Sequence, residues 1–211
     1  MTERKISKAT ISRLPLYLNY LQEALLRGEK YVSSEAMAQS VLVSAVLVRK
    51  DISLFSSVSG KPRIGFDIQR LIGDIERFLG YDNLSDAIVV GAGGLGTAFL
   101  GYEGFKNNGL NILAAFDVSP KIVGKQIAGK PVYDISKLEE FVKENNVRIG
   151  IVTVPKNAAQ AVVDVMVKAG IKAIWNFAAL PLKTPAEVVV KNEDLSASLA
   201  YLASELMRRD A

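Results

Sequence analysis

The chain has 211 residues, 49% of them apolar and 23% charged, with neither cysteine nor histidine. Those are globular proportions, and they exclude disulfides, thiolate nucleophiles, imidazole acid–base groups and the common zinc sites. The net charge of +4 is unevenly placed: residues 1–80 carry 12 basic and 8 acidic side chains, whereas residues 81–211 carry 14 of each, a hint of a polyanionic partner for the leading part.

From Thr10 to Leu26 the stripe Ile11, Leu14, Leu18, Leu21 and Leu25 has helical spacing. Gly28 closes this helix, and Pro15 is expected near its first turn, where proline is tolerated. Ser33-Ser34-Glu35 caps a short second helix through Met37 and Ala38. After a break near Ser40, Ser44 caps a third helix carrying Arg49, Lys50 and Phe55. The run Ser56-Ser-Val-Ser-Gly-Lys-Pro-Arg-Ile-Gly-Phe66 then suggests a basic hairpin holding Lys61 and Arg63. Three short helices, the third basic, followed by such a hairpin describe a winged helix-turn-helix over residues 1–80. Its third helix would enter a major groove and its wing would touch the flanking backbone or minor groove. Ser33, Ser44, Arg49, Lys50, Lys61 and Arg63 are the expected DNA contacts. The same residues also describe a helical protein-docking domain whose Arg49 and Lys50 are merely solvated, and the leading half alone does not choose.

Residues 81–192 read as a nucleotide-binding domain. Ala87-Ile-Val-Val90 is a short apolar strand that runs into Gly91-Ala92-Gly93-Gly94-Leu95-Gly96 and then an amphipathic helix. Gly91 turns the chain, Gly93 lets backbone approach a pyrophosphate, and Gly96 lets helix and strand pack closely. The helix start offers free amide hydrogens to phosphate. A second strand, Asn111 to Phe116, ends at Asp117. A carboxylate there suits the two ribose hydroxyls of NAD(H) and repels a 2′-phosphate; a helix or turn cap is the alternative, and strand, glycines and acid in register favour the dinucleotide. Ser136-x-x-Glu139 has the form of a capping box. Further strands at Ile149–Val154 and Ile171–Phe177 alternate with a helix from Ala158 to Ala169, stopped by Gly170. The alternation predicts a doubly wound parallel sheet, with Thr153, Val154, Pro155, Asn176 and Phe177 lining the pocket beyond its strands. Tyr102-x-x-x-Lys106 has the spacing of the short-chain dehydrogenase pair but stands too early in the chain, so Lys106 reads as a solvated helix end.

No hydrophobic run approaches the roughly 20 residues needed to cross a bilayer, and no basic-then-apolar leader opens the chain. A soluble cytoplasmic protein without membrane or metal partners is expected.

Taken together, the chain resembles the Rex family of redox-sensing transcriptional repressors over nearly its whole length. The resemblance rests on Lys8-Ala-Thr-Ile-Ser-Arg-Leu-Pro-Leu-Tyr17, Val32-Ser-Ser-Glu35, Val48-Arg-Lys-Asp51, Gly91-x-Gly-x-Leu-Gly-x-Ala98, Phe116-Asp117, Thr153-Val-Pro155 and Asn176-Phe-Ala178. It implies a homodimer that binds palindromic operator DNA, senses the NADH/NAD+ ratio, and exchanges a C-terminal helix, residues 193–211, between subunits. Leu195, Leu199, Leu202 and Leu206 fit that helix, with Arg208 and Arg209 suited to its carboxyl end. The resemblance further implies that Arg13, Tyr102 and Asp194 form the contacts that differ between dimer states. Tyr102 and Asp194 would lie near the nicotinamide, Asp194 reaching in from the other subunit. Two departures stand out: Ser53-Leu-Phe-Ser56 replaces the family's Ser-Tyr-Phe-Gly before the wing, and Leu42 replaces a glycine that often precedes the third helix. An NAD-dependent oxidoreductase with an N-terminal docking domain is the rival from another class, and a CoA-binding subunit is a third reading.

Overall fold

The computed structural model describes residues 6–56, 58, 60–61, 63–83 and 85–209. The chain divides into two compact units, Met1–Asn83 and Leu84–Ala211.

The first unit opens with α1 (Lys8–Leu26). The helix starts ahead of its apolar stripe because the Ser7 hydroxyl accepts the Thr10 amide at 3.1 Å. Pro15 is therefore its eighth residue, two turns inside rather than near the first turn. The carbonyl it leaves without a donor belongs to Ile11, a 42% exposed residue that water can serve. There follow β1 (Tyr31–Val32), α2 (Ser34–Ser40), α3 (Ala45–Phe55), β2 (Phe66–Asp67) and α4 (Ile68–Leu79). Strands β1 and β2 pair antiparallel, with Tyr31 opposite Asp67 and Val32 opposite Phe66. One core joins the four helices: Leu14, Leu18, Leu21, Met37, Val48, Ile52, Leu71 and Ile75 are all buried. The expected wing is present as this strand pair and a tight turn, in which Lys61 and Gly65 exchange backbone bonds of 2.9 Å each way. Ser57, Ser59 and Pro62 of the expected hairpin lie outside the described residues.

The second unit runs β3 (Ser85–Val90), α5 (Gly94–Gly101), α6 (Gly104–Asn107), β4 (Leu110–Asp117), β5 (Gln126–Ile127), β6 (Lys130–Asp134), α7 (Leu138–Glu144), β7 (Ile149–Val152), α8 (Lys156–Ala169), β8 (Ala173–Asn176), β9 (Val189–Asn192) and α9 (Leu195–Arg209). The strands form one sheet in the order β5-β6-β4-β3-β7-β8-β9. All neighbours are parallel except the β5–β6 hairpin at one edge. Continuous apolar runs such as Ala87–Val90 suit strands covered on both faces. Ile88, Val90, Phe116 and Val152 pack with α7 and α8 on one face, while Ala87, Val89, Ile112 and Ile151 lie in the core on the other. The winding reverses at β3, which has β4 on one side and β7 on the other, and this opens a crevice beyond the carboxyl ends of those strands.

Two local expectations change, and one strand is unanticipated. Strand β7 ends at Val152, so Thr153 and Val154 belong to the loop. Ser136 does not cap α7: Asp134 opens a single 3-10 turn there, its Oδ1 accepting the Ser136 amide at 2.9 Å and the Ser136 hydroxyl at 2.7 Å. An acidic residue two positions earlier outcompetes the serine. Strand β9 arises from Val188-Val189-Val190, an apolar run too short for the sequence to separate from loop.

Candidate functional site

In the second unit Gly91 leaves β3 with φ 98°, and a Cβ there would meet Val154 Cγ1 at 2.8 Å and the Thr153 carbonyl carbon at 2.9 Å. At Gly96 an added Cβ would lie 1.9 Å from the Gly91 carbonyl oxygen. Glycine is required at both positions by contact between backbones, the jobs the spacing predicts. Gly93 and Gly94 have nothing within 4 Å of such an atom, so the loop between the two tight points faces open space. Thr153 secures the loop by donating its hydroxyl to the Gly91 carbonyl at 2.6 Å.

A crevice of about 460 Å³ opens beside this loop. Gly91, Gly93, Asp117 and Thr153 form its polar edge, and Val118, Ile135, Val154, Pro155, Ala158 and Val162 contribute to the rest. Asp117 is the one charged residue in that lining. Its Oδ2 accepts the Ala92 amide at 2.7 Å and its Oδ1 accepts the Ser119 amide at 2.8 Å. The carboxylate thus does cap a turn, and each of its oxygens keeps capacity to accept a further hydrogen bond. With no cation among the lining residues described, an anion here would rely on the unpaired first-turn amides of α5, at Gly94, Leu95 and Gly96.

Asn176 and Phe177 do not line this crevice. Asn176 is fully buried, donating to the Leu180 carbonyl and Asn192 Oδ1 at 2.8 Å each and accepting the Ala178 amide at 3.0 Å. That side chain staples the end of β8 to β9, and its polar atoms are already partnered. Phe177 sits in an aromatic cluster, its ring centroid 4.9 Å from Phe99 and 4.8 Å from Trp175. Tyr102, 57% exposed, follows α5 and packs edge-on against Phe105 at 4.7 Å. Lys106 is exposed, as expected, on the separate short helix α6. Asp194 caps α9, its Oδ1 accepting the amides of Ser196 at 2.9 Å and Ala197 at 3.2 Å. The stripe Leu195, Leu199, Leu202 and Leu206 along α9 is exposed throughout.

In the first unit Ser33 and Ser44 are the N-caps of α2 and α3, accepting the amides of Ala36 at 3.0 Å and Leu47 at 3.2 Å. Both are exposed, and each hydroxyl hydrogen stays free to donate outward. Val46, Arg49, Lys50 and Ser53 form the exposed face of α3. Arg49 and the turn residues Lys61 and Arg63 border one cleft of about 350 Å³. Arg49 is not merely solvated: its Nη1 donates to Ser34 Oγ at 2.7 Å and to Glu35 Oε1 at 3.0 Å.

The buried side of α3 holds a charge. Asp51, 1% exposed, accepts Arg13 through two bonds of 2.7 and 2.8 Å, the Tyr17 hydroxyl at 2.9 Å and the Thr10 hydroxyl at 3.2 Å. Burial pushes its carboxyl up, but the bonds from Arg13 and Tyr17 more than offset this and leave it below the usual range. The same burial, with Asp51 alongside, pushes the Tyr17 hydroxyl up to about 12.

Comparison with known proteins bears on the whole chain. Residues 82–180 match the family described as "CoA binding domain", and residues 5–53 match "Putative DNA-binding protein N-terminus". The redox-sensing transcriptional repressor Rex of Treponema denticola is 42% identical over 203 residues, 96% of each chain. That of Clostridioides difficile is 40% identical and covers 97% of each. The chain belongs to the Rex family of redox-sensing transcriptional repressors. The crystal structure of RSP, a Rex-family repressor, superposes with a TM-score of 0.86 at 36% identity, covering 97% of this chain and 95% of that one. RSP in complex with β-NAD+ and operator DNA gives 0.91, again at 36% identity, with 97% and 94% covered. Its complex with β-NADH gives 0.87 at 35% identity, with 98% and 96% covered.

Within this Rex-family chain, Arg13 is held by Asp51 of its own unit, and Leu42 takes φ 56° with 91% exposure. Three features escape a reading of the sequence: the Asp51 network, the Ser34–Glu35 support of Arg49, and the apolar wall of Val118 and Ile135. The first has a signal. Asp51 follows Val48 by three and precedes Phe55 by four, so it falls on the apolar stripe and has to find a cation. The second has none, because Glu35 reads as an ordinary first-turn acid.

Proposed function

We propose that this protein is a redox-sensing transcriptional repressor that binds palindromic operator DNA as a homodimer and is released when NADH binds. The observation that carries the reading is the full-length relationship to Rex repressors, 42% identity over 96% of the chain, joined to a winged helix-turn-helix and a glycine-loop crevice in one chain. RSP, similar along its length, forms complexes with operator DNA and NAD+ and with NADH.

The nucleotide's pyrophosphate meets the loop at Gly93, where backbone is open, and the amides of Gly94, Leu95 and Gly96. Asp117 accepts the adenosine ribose hydroxyls with its free lone pairs, and Val118 and Ile135 flank the adenine. The nicotinamide lies toward Phe177 and Tyr102. Asp194 of a second copy, brought in by exchange of α9, favours one charge state of that ring. The exposed leucines of α9 are buried by the same exchange. On DNA, α3 enters the major groove with Val46, Arg49 and Lys50 toward base edges, while Ser33, Ser44, Lys61 and Arg63 hold phosphates. No catalytic turnover is assigned, in keeping with relatives named as repressors, and the protein works in the cytoplasm, where operator DNA is found. Among the described residues no helix is long and apolar enough to cross a membrane.

Coupling is reciprocal, so operator DNA weakens NADH binding by the factor by which NADH weakens operator binding. A coupling on the order of 1–3 kcal/mol suffices. The test is fluorescence anisotropy of a palindromic AT-rich duplex at fixed salt, titrated with NADH, NAD+, NADPH and CoA. NADH should release the duplex, NAD+ should not, NADPH should act only weakly, and CoA should fail to displace NADH. An NADH affinity that does not change when the duplex is added would refute the mechanism.

A further inference from the structure

The Arg49 guanidinium presents five donor hydrogens in a rigid plane. The two on Nη1 are directed at Ser34 Oγ, 2.7 Å away, and Glu35 Oε1, 3.0 Å away. Ser34 is 6% exposed and its hydroxyl donates in turn to Glu35, 3.3 Å from each carboxylate oxygen. One edge of the guanidinium is thereby tied to the start of α2. The opposite edge, Nε and Nη2, is left as a two-donor fork on the exposed face of α3. Such a fork matches the O6 and N7 acceptors of guanine in the major groove, and equally two phosphate oxygens. Glu35 separates the two. Its exposed carboxylate, bound at Nη1 of the same guanidinium, would repel an approaching phosphate more strongly than a neutral base edge.

We propose that Glu35, together with Ser34, is a positioning residue that fixes Arg49 to read a guanine in each half-site rather than to hold a phosphate. The inference rests on the DNA-binding reading above. A surface ion pair of this kind adds little stability, so its value lies in orientation. Removing the charge should have two opposite effects. Arg49 gains freedom, so base discrimination falls. The local repulsion of phosphate disappears, so affinity for unrelated DNA rises. A residue with a merely structural role would move both affinities together.

The experiment is selection of binding sites from a randomised palindromic duplex pool by the full-length protein, together with affinity for a scrambled duplex at fixed salt. Wild type should enrich a guanine at one position of each half-site, and R49A should lose that preference. E35Q should weaken it by about five- to tenfold, the low end of what one bidentate base contact carries, while binding the scrambled duplex more tightly. E35D, which keeps the charge, should fall between, and S34A, which also keeps it, should weaken the guanine preference without tightening the scrambled duplex. Thermal melting of E35Q should stay at the wild-type value. An unchanged base preference in E35Q, or an R49A that still selects the guanine, overturns the inference and leaves the repressor reading standing. A wild type that enriches no sequence overturns the DNA-binding reading and this inference with it.

Discussion

The two units fix their working parts by different means. In the nucleotide unit, position is set by backbone against backbone: Gly91 and Gly96 admit contacts that any side chain would block, and Thr153 and Asp117 bond to main chain. In the DNA-reading unit, position is set by charged side chains that meet across helices, Arg13 with Asp51 and Arg49 with Glu35. Backbone packing is rigid and indifferent to pH and salt. A charge network is strong only while every partner is present. One half is built to hold a shape, the other to hold an orientation that solution conditions can alter.

The largest test of that contrast is D51A. It leaves the Arg13 guanidinium without its anion in a half-buried site, with only the 3.4 Å bond to the Thr10 hydroxyl, and orphans the Tyr17 hydroxyl; removing one member of a buried pair destabilises by about 3–5 kcal/mol. Amide exchange followed by mass spectrometry should show the loss across α1 and α3, with protection of β3, β4 and β7 unchanged. Loss shared equally by both units would mean that they do not behave separately. The pH profile sharpens the point. Asp51 titrates lower in the folded state than unfolded, so its contribution is complete above about pH 4 and lost as pH falls below that. Tyr17 is raised to about 12, so its contribution is complete below about pH 10 and disappears as pH climbs from there toward 12. The first unit should therefore open at both extremes, and D51N should shrink the acid limb, leaving the part that Glu35, also held low, contributes.

A smaller effect is expected from G96A, whose methyl group would stand 1.9 Å from the Gly91 carbonyl oxygen. Forcing the loop apart should destabilise the second unit by about 1–3 kcal/mol and weaken NADH binding at least tenfold. G94A is the matched control: with nothing within 4 Å of its new atom, melting should stay constant or rise slightly. Calorimetry with and without NADH distinguishes the two.

That asymmetry also explains what can be read from the chain. Backbone proximity leaves a mark in sequence because only glycine permits it, so the loop, its strand and Asp117 are legible in the order of residues alone. The helices of the reading unit are equally legible from Ser33 and Ser44, whose capping is local. The ion pairs are not, since Arg13 and Asp51 lie 38 residues apart and Arg49 and Ser34 lie 15 apart. Asn176 misleads for a related reason: its place at a strand end suggests a ligand-facing residue, but alternation along β8 turns it into the core. Pro15 misleads because Ser7, ahead of the apolar stripe, sets the helix start.

The smallest expected effect concerns the turn between the second and third helices. Val43 donates its amide to the Ala38 carbonyl at 3.0 Å, and Leu42 just before it is left-handed at φ 56°. This is the helix-ending arrangement that favours glycine, because a Cβ in that conformation costs about 1–2 kcal/mol. Leu42 is 91% exposed, so its side chain recovers almost none of that through burial within the chain. L42G should therefore stabilise the first unit by about 1 kcal/mol, part of the relieved strain being offset by the greater freedom of glycine when unfolded. For a unit of this size that raises melting by about 4–8 °C. Operator affinity measured on the same variant separates two reasons for keeping a strained leucine. Unchanged affinity would make Leu42 a tolerated replacement, whereas weaker binding by a more stable protein would mean that its exposed side chain touches DNA. In the second case, strain in the turn is retained for a contact outside the chain, and the reading unit depends on its ligand in a way the nucleotide loop, fixed by close backbone contacts at Gly91 and Gly96, does not.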